Sequence, residues 1–325
     1  MLKTKLFIKG CSAITPQARV PDLQSLSWTN TELKYFSCLE PDYKLYIEPM
    51  TSRRMSRLMK MGLVSAKMCL NDANISSPEA IITGTGLGCS EDTEKFLVNL
   101  IVNEEKMLKP TPFIQSTHNT IGSQIAINLN CHGYNITFAH RGHSFESAII
   151  DAILFSRDNN GADILVGGFD EITQTSYHIL QRLGVFRNTS IKAGEGAAFF
   201  VFNTLPSMNN YACLQAIDLI TKPSKGTINQ QILSFIKKQS IDIKDIDLVL
   251  CGSPEDIFSE PELKSLLEPT KTKFYKHLCG EYHTASAFAL NLAANIIKQE
   301  SSIKNVLIWN NYLQINHSFF YLSAC

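Results

Sequence analysis

The chain has 325 residues, of which 44% are hydrophobic and 18% are charged, and its 30 basic residues balance 30 acidic ones. This length is enough for one large domain or two ordinary domains with a well-buried core. The balanced charge argues against a protein that its overall field draws to nucleic acid or to an anionic membrane.

The sequence also indicates the cellular compartment of the protein. The opening residues, MLKTKLFIKGCSA, lack the apolar run and the cleavage site of a signal peptide. No apolar stretch approaches the roughly 20 residues needed to span a bilayer. The nine cysteines are scattered singly, without CxxC pairs, which is typical of reduced thiols. We therefore predict a cytoplasmic protein that does not cross a membrane.

Strand and helix patterns alternate along the first 204 residues, with an irregular segment at residues 11–50. The predicted strands are residues 5–9, 80–83, 135–139, 162–167 and 194–202. The predicted helices are residues 53–73, 91–102, 120–129 and 144–158, and residues 110–119 are predicted to form a loop. This alternation is typical of an α/β protein.

A glycine-rich loop, GTGLG at residues 84–88, follows one of these strands. Such a loop after a strand is typical of dinucleotide sites, but GxGxG lacks the final glycine spacing of that motif and no ribose-binding residue follows. The sequence therefore predicts no bound cofactor.

The second part of the chain repeats the order of the first more faintly. DLVLCGSPED at residues 247–256 has the cadence of AIITGTGLGCSED at residues 80–92, and NVLIW at residues 305–309 parallels residues 162–167. A shared order of strands and helices predicts two related α/β halves, residues 1–204 and a shortened 205–325, packed as one compact unit.

The stretch NITFAHRGHSFESAIIDA, residues 135–152, predicts a strand that turns sharply into a buried helix. Many enzymes mount a nucleophile at such a turn, because a helix N-terminus favours an anion. The residue at this turn is Gly142, which has no side chain. His140 and His143 as metal ligands and Ser144 as a nucleophile are the alternatives. No further ligand lies at metal spacing and no GxSxG elbow is present, so we predict no metal and interpret Ser144 as a helix N-cap.

Six segments resemble, in order, those of β-ketoacyl-acyl-carrier-protein synthases of the thiolase-like superfamily. They are LFIKGCSAITPQ, RRMSRLMKMGLVSAKMCLNDANI, IITGTGLG, STHNTIGSQIAINLNCHGYNITF, ADILVGGFDE and AGEGAAFFVF. The resemblance implies an α/β fold of the thiolase-like kind, a duplicated αβαβα layered fold with two mixed sheets and buried central helices.

The resemblance also implies that the catalytic groups of the family are missing. Gly142 falls on the position of the nucleophilic cysteine, and no register slip restores the thiol because no cysteine occurs between Cys131 and Cys213. Ser253, in the turn CGSP, and Glu281 fall on the positions of the two catalytic histidines, while the family's lysine is kept as Lys276. The glycine-rich gating loop becomes NNYLQIN at residues 310–316, without glycine.

Several side chains are expected to fill or line the vacated pocket. Arg141, His143 and Phe145 are the predicted filling residues, and His140, Phe138 and Tyr312 are further predicted lining residues. Lys276 and Glu281 are expected to form a salt bridge that ties the second elbow, with a wider polar cluster including His283 as the alternative.

The resemblance is closest to homologues that have lost the nucleophile and pair with an active ketosynthase, often called chain-length factors. It implies a heterodimer in bacterial fatty-acid, polyketide or aryl polyene biosynthesis, in which Phe138 and Ile121 would set the tunnel length. The predicted interface residues are Thr117, His118, Asn119, Ile121 and Thr137. An acyl carrier protein is a possible partner, with Arg53, Arg54, Arg57 and Lys60 as its contacts.

Two other functions stay open. The first is an enzyme of altered acyl-transfer or decarboxylase chemistry that uses Glu281, His143 or Ser144. The second is a structural protein that binds acyl carrier protein without a ketosynthase partner. No nucleic-acid partner is expected.

Overall fold

The structure is a computed structural model that describes residues 5–187, 189–224, 226–258 and 271–325. Its strands are β1 (Leu6–Ile14), β2 (Ala80–Gly84), β3 (Tyr134–Phe138), β4 (Ile164–Asp170), β5 (Gly196–Asn203), β6 (Cys213–Thr221), β7 (Leu248–Cys251), β8 (Lys271–Phe274), β9 (Asn305–Tyr312) and β10 (Asn316–Ser323). Its helices are α1 (Pro49–Ser52), α2 (Arg57–Asp72), α3 (Ser90–Val102), α4 (Pro110–Gln115), α5 (Thr120–Leu129), α6 (Ser144–Asp158), α7 (Gln174–Arg182), α8 (Ile228–Lys238), α9 (Pro254–Phe258), α10 (Lys276–Cys279) and α11 (Ala285–Gln299).

The strands repeat one arrangement twice. Their order is β3-β2-β4-β5-β1-β6-β10-β9-β7-β8, so each half has the same sequence of parallel and antiparallel neighbours. A two-residue antiparallel pairing, Leu6 with Leu214 and Phe7 with Cys213, joins the halves edge to edge, so the two mixed sheets that were expected form one ten-stranded sheet in the described residues. The predicted duplicated, layered α/β fold is confirmed, and the division of domains at residue 204 stays a prediction.

The helices form layers on both faces of these strands. Helices α6 and α11 are central, because each contacts strands of both halves. The sequence of strand β5, AFFVF, accounts for the two layers. Ala198, Phe200 and Phe202 belong to the central core. Phe199 and Val201 point to the opposite face and belong to the outer core under α2. Side chains alternate along a strand, so a continuous apolar run is expected where both faces are covered.

Two local expectations are wrong. The helix expected at residues 53–73 is shorter, because α2 begins only at Arg57, after Ser56 in an extended conformation, and ends at Asp72. The loop expected at residues 110–119 contains α4, which starts at Pro110, and proline suits the first position of a helix. No helix within the described ranges is long and apolar enough to cross a membrane.

Candidate functional site

The turn predicted to hold the site lies between β3 and α6. A short 3-10 turn, Arg141–His143, connects the two elements, and Arg141 has a φ of 53°. A positive φ is uncommon outside glycine, so the turn is a locally strained point. The Ser144 hydroxyl accepts from the His140 N–H at 2.9 Å and donates to the Arg141 carbonyl at 2.7 Å. Ser144 therefore stabilises the turn, and its expected role as N-cap is wrong because His143 takes that position.

A tyrosine ring fills the space where a side chain at Gly142 would lie. A Cβ atom added to Gly142 would stand 2.6 Å from Cδ1 and 2.8 Å from Cβ of Tyr312. These distances are far below van der Waals contact, so any side chain here requires Tyr312 to move. The Tyr312 hydroxyl is hydrogen-bonded to Nε2 of His283 at 2.9 Å, and the two ring centroids lie 4.7 Å apart. The place of the expected nucleophile is therefore occupied by a ring that His283 holds.

A tight hairpin turn carries Tyr312. Leu313 and Gln314 have φ values of 52° and 57°, and the Ile315 N–H donates to the Tyr312 carbonyl at 3.0 Å. Two central residues with positive φ define a type I′ turn, which matches the twist of a hairpin and usually contains glycine or asparagine. The segment expected to be a bulkier gate thus contains the β9–β10 turn. Tyr312, the first residue of that turn, fills the space at Gly142.

The second elbow, residues 276–281, holds a buried ion pair. Nζ of Lys276 lies 2.8 Å from Oε2 of Glu281, and the two side chains are 0% and 3% exposed. Lys276 also donates to the backbone carbonyl of Asn311. Burial raises the pKa of the Glu281 carboxyl to about 7, and the Lys276 ammonium opposes that rise. The predicted salt bridge between Lys276 and Glu281 is present.

The turn at Ser253 belongs to the same network. Asp256 accepts from the Ser253 N–H and from the Asn311 side-chain amide, each at 2.8 Å. Burial raises the pKa of Asp256, while Lys276 lowers it. The residues expected at the catalytic positions therefore lie around the end of β9: Gly142, Ser253, Lys276 and Glu281.

Two of the expected filling residues lie elsewhere. Phe145 is fully buried in the central core, with its ring centroid 5.7 Å from that of Phe200. His143 is buried, with Nε2 lying 3.2 Å from the carbonyl oxygen of His317, and burial lowers its pKa. His143 is thus held against the β10 backbone. Tyr312, expected only to line the pocket, does the filling at Gly142.

The other expected lining residues lie nearer the surface. His140 is exposed, with Nδ1 hydrogen-bonded to the Ser147 hydroxyl at 2.9 Å. Phe138 is half-buried, and its ring centroid lies 5.7 Å from that of His140. Within the described ranges, no three His, Cys, Asp or Glu side chains are grouped as metal ligands would be.

Asp170, at the end of β4, was missed as a site residue. It accepts from the Gly86 N–H at 2.7 Å and from the Thr284 N–H and hydroxyl at 3.0 and 2.8 Å. These bonds tie the GTGLG loop of the first half to the start of α11 in the second. A Cβ on Gly86 would collide with the His283 ring, so this glycine permits close packing of the two halves. The signal in the sequence was an acidic residue at the end of a buried strand that contains Gly167 and Gly168.

The predicted interface residues divide into two groups. Thr117, His118 and Asn119 are exposed before α5, and Thr137 is half-buried on β3, an edge strand of the sheet. Ile121 is only 1% exposed and packs in the core under α2. The structure therefore does not support Ile121 as a contact or tunnel residue.

An exposed apolar surface, not predicted from the sequence, lies beside this group. Seven large apolar side chains on α3, α4 and their connection are between 50% and 97% exposed. This surface, hereafter the α3–α4 face, consists of Leu97, Val98, Ile101, Val102, Met107, Phe113 and Ile114. Helix α4 leads into α5, which packs against the edge strand β3. An exposed apolar patch of this kind marks a surface that a partner covers.

The predicted contacts for a carrier protein differ in their exposure and in whether they already form ion pairs. Arg53 and Arg54 are exposed and Lys60 is half-buried. Arg57 donates to both carboxylate oxygens of the buried Glu195, with Nη1 lying 2.7 Å from Oε2, and it also contacts Glu40. Arg57 therefore serves a structural ion pair that joins α2 to the start of β5.

Comparison with known families gives one match. The model described as the beta-ketoacyl synthase N-terminal domain matches residues 27–193, just over half of the chain. No curated protein matches the sequence.

Solved structures of similar fold cover nearly the whole chain. A type II polyketide-synthase acyl-carrier protein in complex with its ketosynthase matches with a TM-score of 0.79 at 16% identity, over 99% of this chain and 100% of that chain. The ishigamide ketosynthase/chain length factor matches with a TM-score of 0.76 at 14% identity, over 99% and 100%. A ketosynthase in complex with its chain length factor from Xenorhabdus doucetiae matches with a TM-score of 0.77 at 14% identity, over 99% and 98%.

Proposed function

Because this chain belongs to the beta-ketoacyl synthase family, we propose that it is a non-catalytic subunit of the chain-length-factor type. It pairs with an active ketosynthase and shapes the space that holds the growing acyl chain. The observation that carries the proposal is the Tyr312 ring, packed where a nucleophile at Gly142 would stand. Condensation by a thiolate requires that space for the thiol and for the acyl group it would accept.

The thiols nearest the network do not offer a substitute. Cys251 and Cys279 are fully buried, and burial raises the pKa of each thiol well above its usual value. A thiol is nucleophilic as the thiolate, so a buried cysteine with a raised pKa is a poor nucleophile. Neither Ser253 nor Glu281 supplies the imidazole that the family uses for decarboxylation.

The partner surface that we propose combines the edge strand β3 with the α3–α4 face. An unpaired strand edge and a group of exposed apolar side chains are both features that a partner covers. Thr117, His118 and Asn119 lie between the two. A ketosynthase is the proposed partner because two of the similar structures are ketosynthases with chain length factors.

The substrate and carrier are part of the same proposal. We propose an acyl chain of the bacterial fatty-acid, polyketide or aryl polyene class and a cytoplasmic heterodimer. An acyl carrier protein would contact the exposed Arg53 and Arg54 through acidic side chains. Lys60 is a weaker candidate contact because it is half-buried, and Arg57 because it is engaged by Glu195.

Co-expression with a ketosynthase encoded nearby tests the pairing. We expect one affinity tag to recover both chains in equal amounts, as measured by native mass spectrometry. The double variant Ile101→Glu, Ile114→Glu places two charges on the α3–α4 face and should abolish recovery of the partner, because burying unpaired charge is costly.

The matched control is Met208→Glu, which charges a fully exposed apolar residue outside that face. This variant should still recover the ketosynthase. A stable, exclusively homodimeric protein would count against the proposed function, and unchanged recovery with the double variant would count against the α3–α4 face.

A further inference from the structure

A cavity of about 360 Å³ lies between α2, α11 and the segment that follows β1. It shares no residue with the turn at Gly142 or with the second elbow. Its lining combines apolar side chains with two side-chain amides: Met68, Phe288, Leu292, Asn291 and Asn295. We call it the Asn291 cavity. A volume of a few hundred Å³ with apolar walls and a few polar groups suits a small organic molecule.

The two amides interrupt an apolar part of a buried helix. Between Ala287 and Ile297, the only polar side chains of α11 are those of Asn291 and Asn295. Asparagine is among the poorer helix formers, and a buried amide without hydrogen bonds is costly. The two residues stand four positions apart, so their side chains lie on the same side of the helix, one turn from each other.

Hydrogen bonds fix the orientation of these amides. Nδ2 of Asn295 donates to the backbone carbonyl of Asn291 at 2.8 Å and lies 3.5 Å from Oδ1 of Asn291. It also lies 3.6 Å from Sγ of Cys11. A flipped Asn291 amide would set two donating nitrogens against each other. Asn291 therefore presents its oxygen to Asn295, and its own Nδ2 is directed away from that contact.

This orientation leaves one donor and one acceptor for a ligand. Asn291 is 6% exposed, and no hydrogen bond among the described residues uses its Nδ2 or the Oδ1 of the half-buried Asn295. Nδ2 of Asn291 is not one of the polar atoms enclosed by the protein without a partner, so it is open to the cavity that Asn291 lines. A largely buried donor without an acceptor is costly, so it marks the point where an acceptor from outside the protein would bind.

We infer that the Asn291 cavity binds a small molecule with a carboxamide group and a short apolar tail. The ligand's carbonyl accepts from Nδ2 of Asn291, its N–H donates to Oδ1 of Asn295, and its tail packs against Phe288. A carboxamide offers an acceptor and a donor side by side, as this pair of asparagines requires. The charged residues of the lining, Arg19 and Asp72, are exposed and opposite in sign, so they favour neither an anion nor a cation.

Titration of the full chain with pentanamide, followed by ligand-observed NMR, tests the inference. Hexan-2-one is the matched neutral probe, because a methyl group replaces the amide nitrogen, and pentanoate is the matched anion. We expect saturable binding of pentanamide and affinities about five-fold weaker or less for the other two, because each leaves Oδ1 of Asn295 without a donor. No saturable response to pentanamide, or equal affinity for pentanamide and hexan-2-one, would overturn the inference.

Variants of α11 assign the response to the asparagine pair. Asn291→Leu nearly conserves volume at a buried helical position, and it should weaken pentanamide binding by about ten-fold. The control is Ser286→Ala, which removes another buried polar group of α11 that does not line the cavity. This control should change the affinity by less than about two-fold, because its site is independent of the ligand.

A second variant keeps the test decisive if Asn291→Leu does not fold. Asn295→Leu, at a half-buried position, removes the acceptor for the ligand's N–H and should abolish the preference for pentanamide over hexan-2-one. Full affinity in Asn291→Leu, or an unchanged preference in Asn295→Leu, would overturn the inference. The outcome is independent of ketosynthase pairing, because the cavity lies within one chain and shares no residue with the α3–α4 face.

Discussion

At the first elbow, residues 140–146, the structure is held by volume: Gly142 leaves a space, and the Tyr312 ring occupies it. At the second elbow, residues 276–281, it is held by charge, because Glu281 pairs with the buried Lys276. The two arrangements should differ in how they respond to mutation. Two substitutions that exchange side-chain volume can restore the packing of a filled space. A buried charge that has lost its partner stays desolvated and unpaired, which strongly lowers the free energy of unfolding.

The largest expected effect is on the second elbow. Lys276→Met leaves the buried carboxyls of Glu281 and Asp256 without their ammonium partner, and we expect the free energy of unfolding to fall by about 3–5 kcal/mol. Urea denaturation measures this change. The control is Lys9→Met, whose ion pair with Asp163 at 2.9 Å is partly exposed, and it should cost less than about 1 kcal/mol. Equal costs for Lys276→Met and Lys9→Met would show that the buried ion pair of the second elbow contributes no more to stability than a partly exposed one.

The pH dependence of stability reports on a buried carboxyl of the first elbow. Glu146, in the first turn of α6, is fully buried and accepts from the Ser318 hydroxyl at 2.7 Å. Burial raises its pKa from 4.5 to about 7, and no described cation contributes to that shift. The folded state therefore keeps a proton that the unfolded state releases, so this group favours folding at low pH and loses that contribution as the pH rises from 4.5 to 7.

Comparison with Glu146→Gln measures that contribution. Between about pH 4.5 and pH 8, the wild type should lose on the order of 2–3 kcal/mol of stability relative to the variant. Urea denaturation across this range provides the measurement. Glu255→Gln is the control, because backbone and side-chain hydrogen bonds lower the pKa of Glu255 despite its partial burial. Its contribution is lost only as the pH falls below about 4.5, so the wild type and this variant should differ little in slope across the range. Parallel pH profiles for wild type and Glu146→Gln would show that Glu146 does not titrate as its burial indicates.

The smallest expected effect is steric and belongs to the first elbow. Gly142→Cys alone should cost about 1–3 kcal/mol, because the new side chain collides with the Tyr312 ring. In a Tyr312→Ala background the same substitution should cost less than about 0.5 kcal/mol, and peptide mapping after alkylation should then detect a reactive thiol at position 142. In a Tyr312→Phe background the ring remains and the full cost should return. Equal costs of Gly142→Cys in all three backgrounds would contradict the steric account.

Local patterns predicted much of the fold. The helices expected at residues 120–129 and 144–158 have the observed bounds, because each follows a clear apolar period and a turn signal. Strands β6 and β10 were not predicted. Strand β10 pairs with β6 and β9 inside the second half, where the repeat is faintest in the sequence. Helix α4 was missed because prolines at residues 110 and 112 suggested a loop, although a proline in the first turn is compatible with a helix.

From the sequence, the candidate site could be predicted only as a set of residue types that are absent. The absence of a thiol at Gly142 and of an imidazole at Glu281 can be read from the chain, because it depends on residue type alone. The filling of the first elbow could not be assigned to Tyr312, which is distant in sequence and is placed by the type I′ turn at Leu313 and Gln314. Neighbours along the chain, His143 and Phe145, were the natural expectation, but α6 directs Phe145 into the central core.

The position of β1 has a consequence for the time course of folding. This strand lies between β5 and β6, so both of its neighbours come about 200 residues later in the chain, as in the pairs Phe7 with Asn203 and Leu6 with Leu214. At ordinary rates of synthesis, the ribosome needs on the order of 10–40 s to add the intervening residues. During that interval the strand has no partner from its own sheet. The β1–β6 pairing that joins the two halves therefore forms only late in translation.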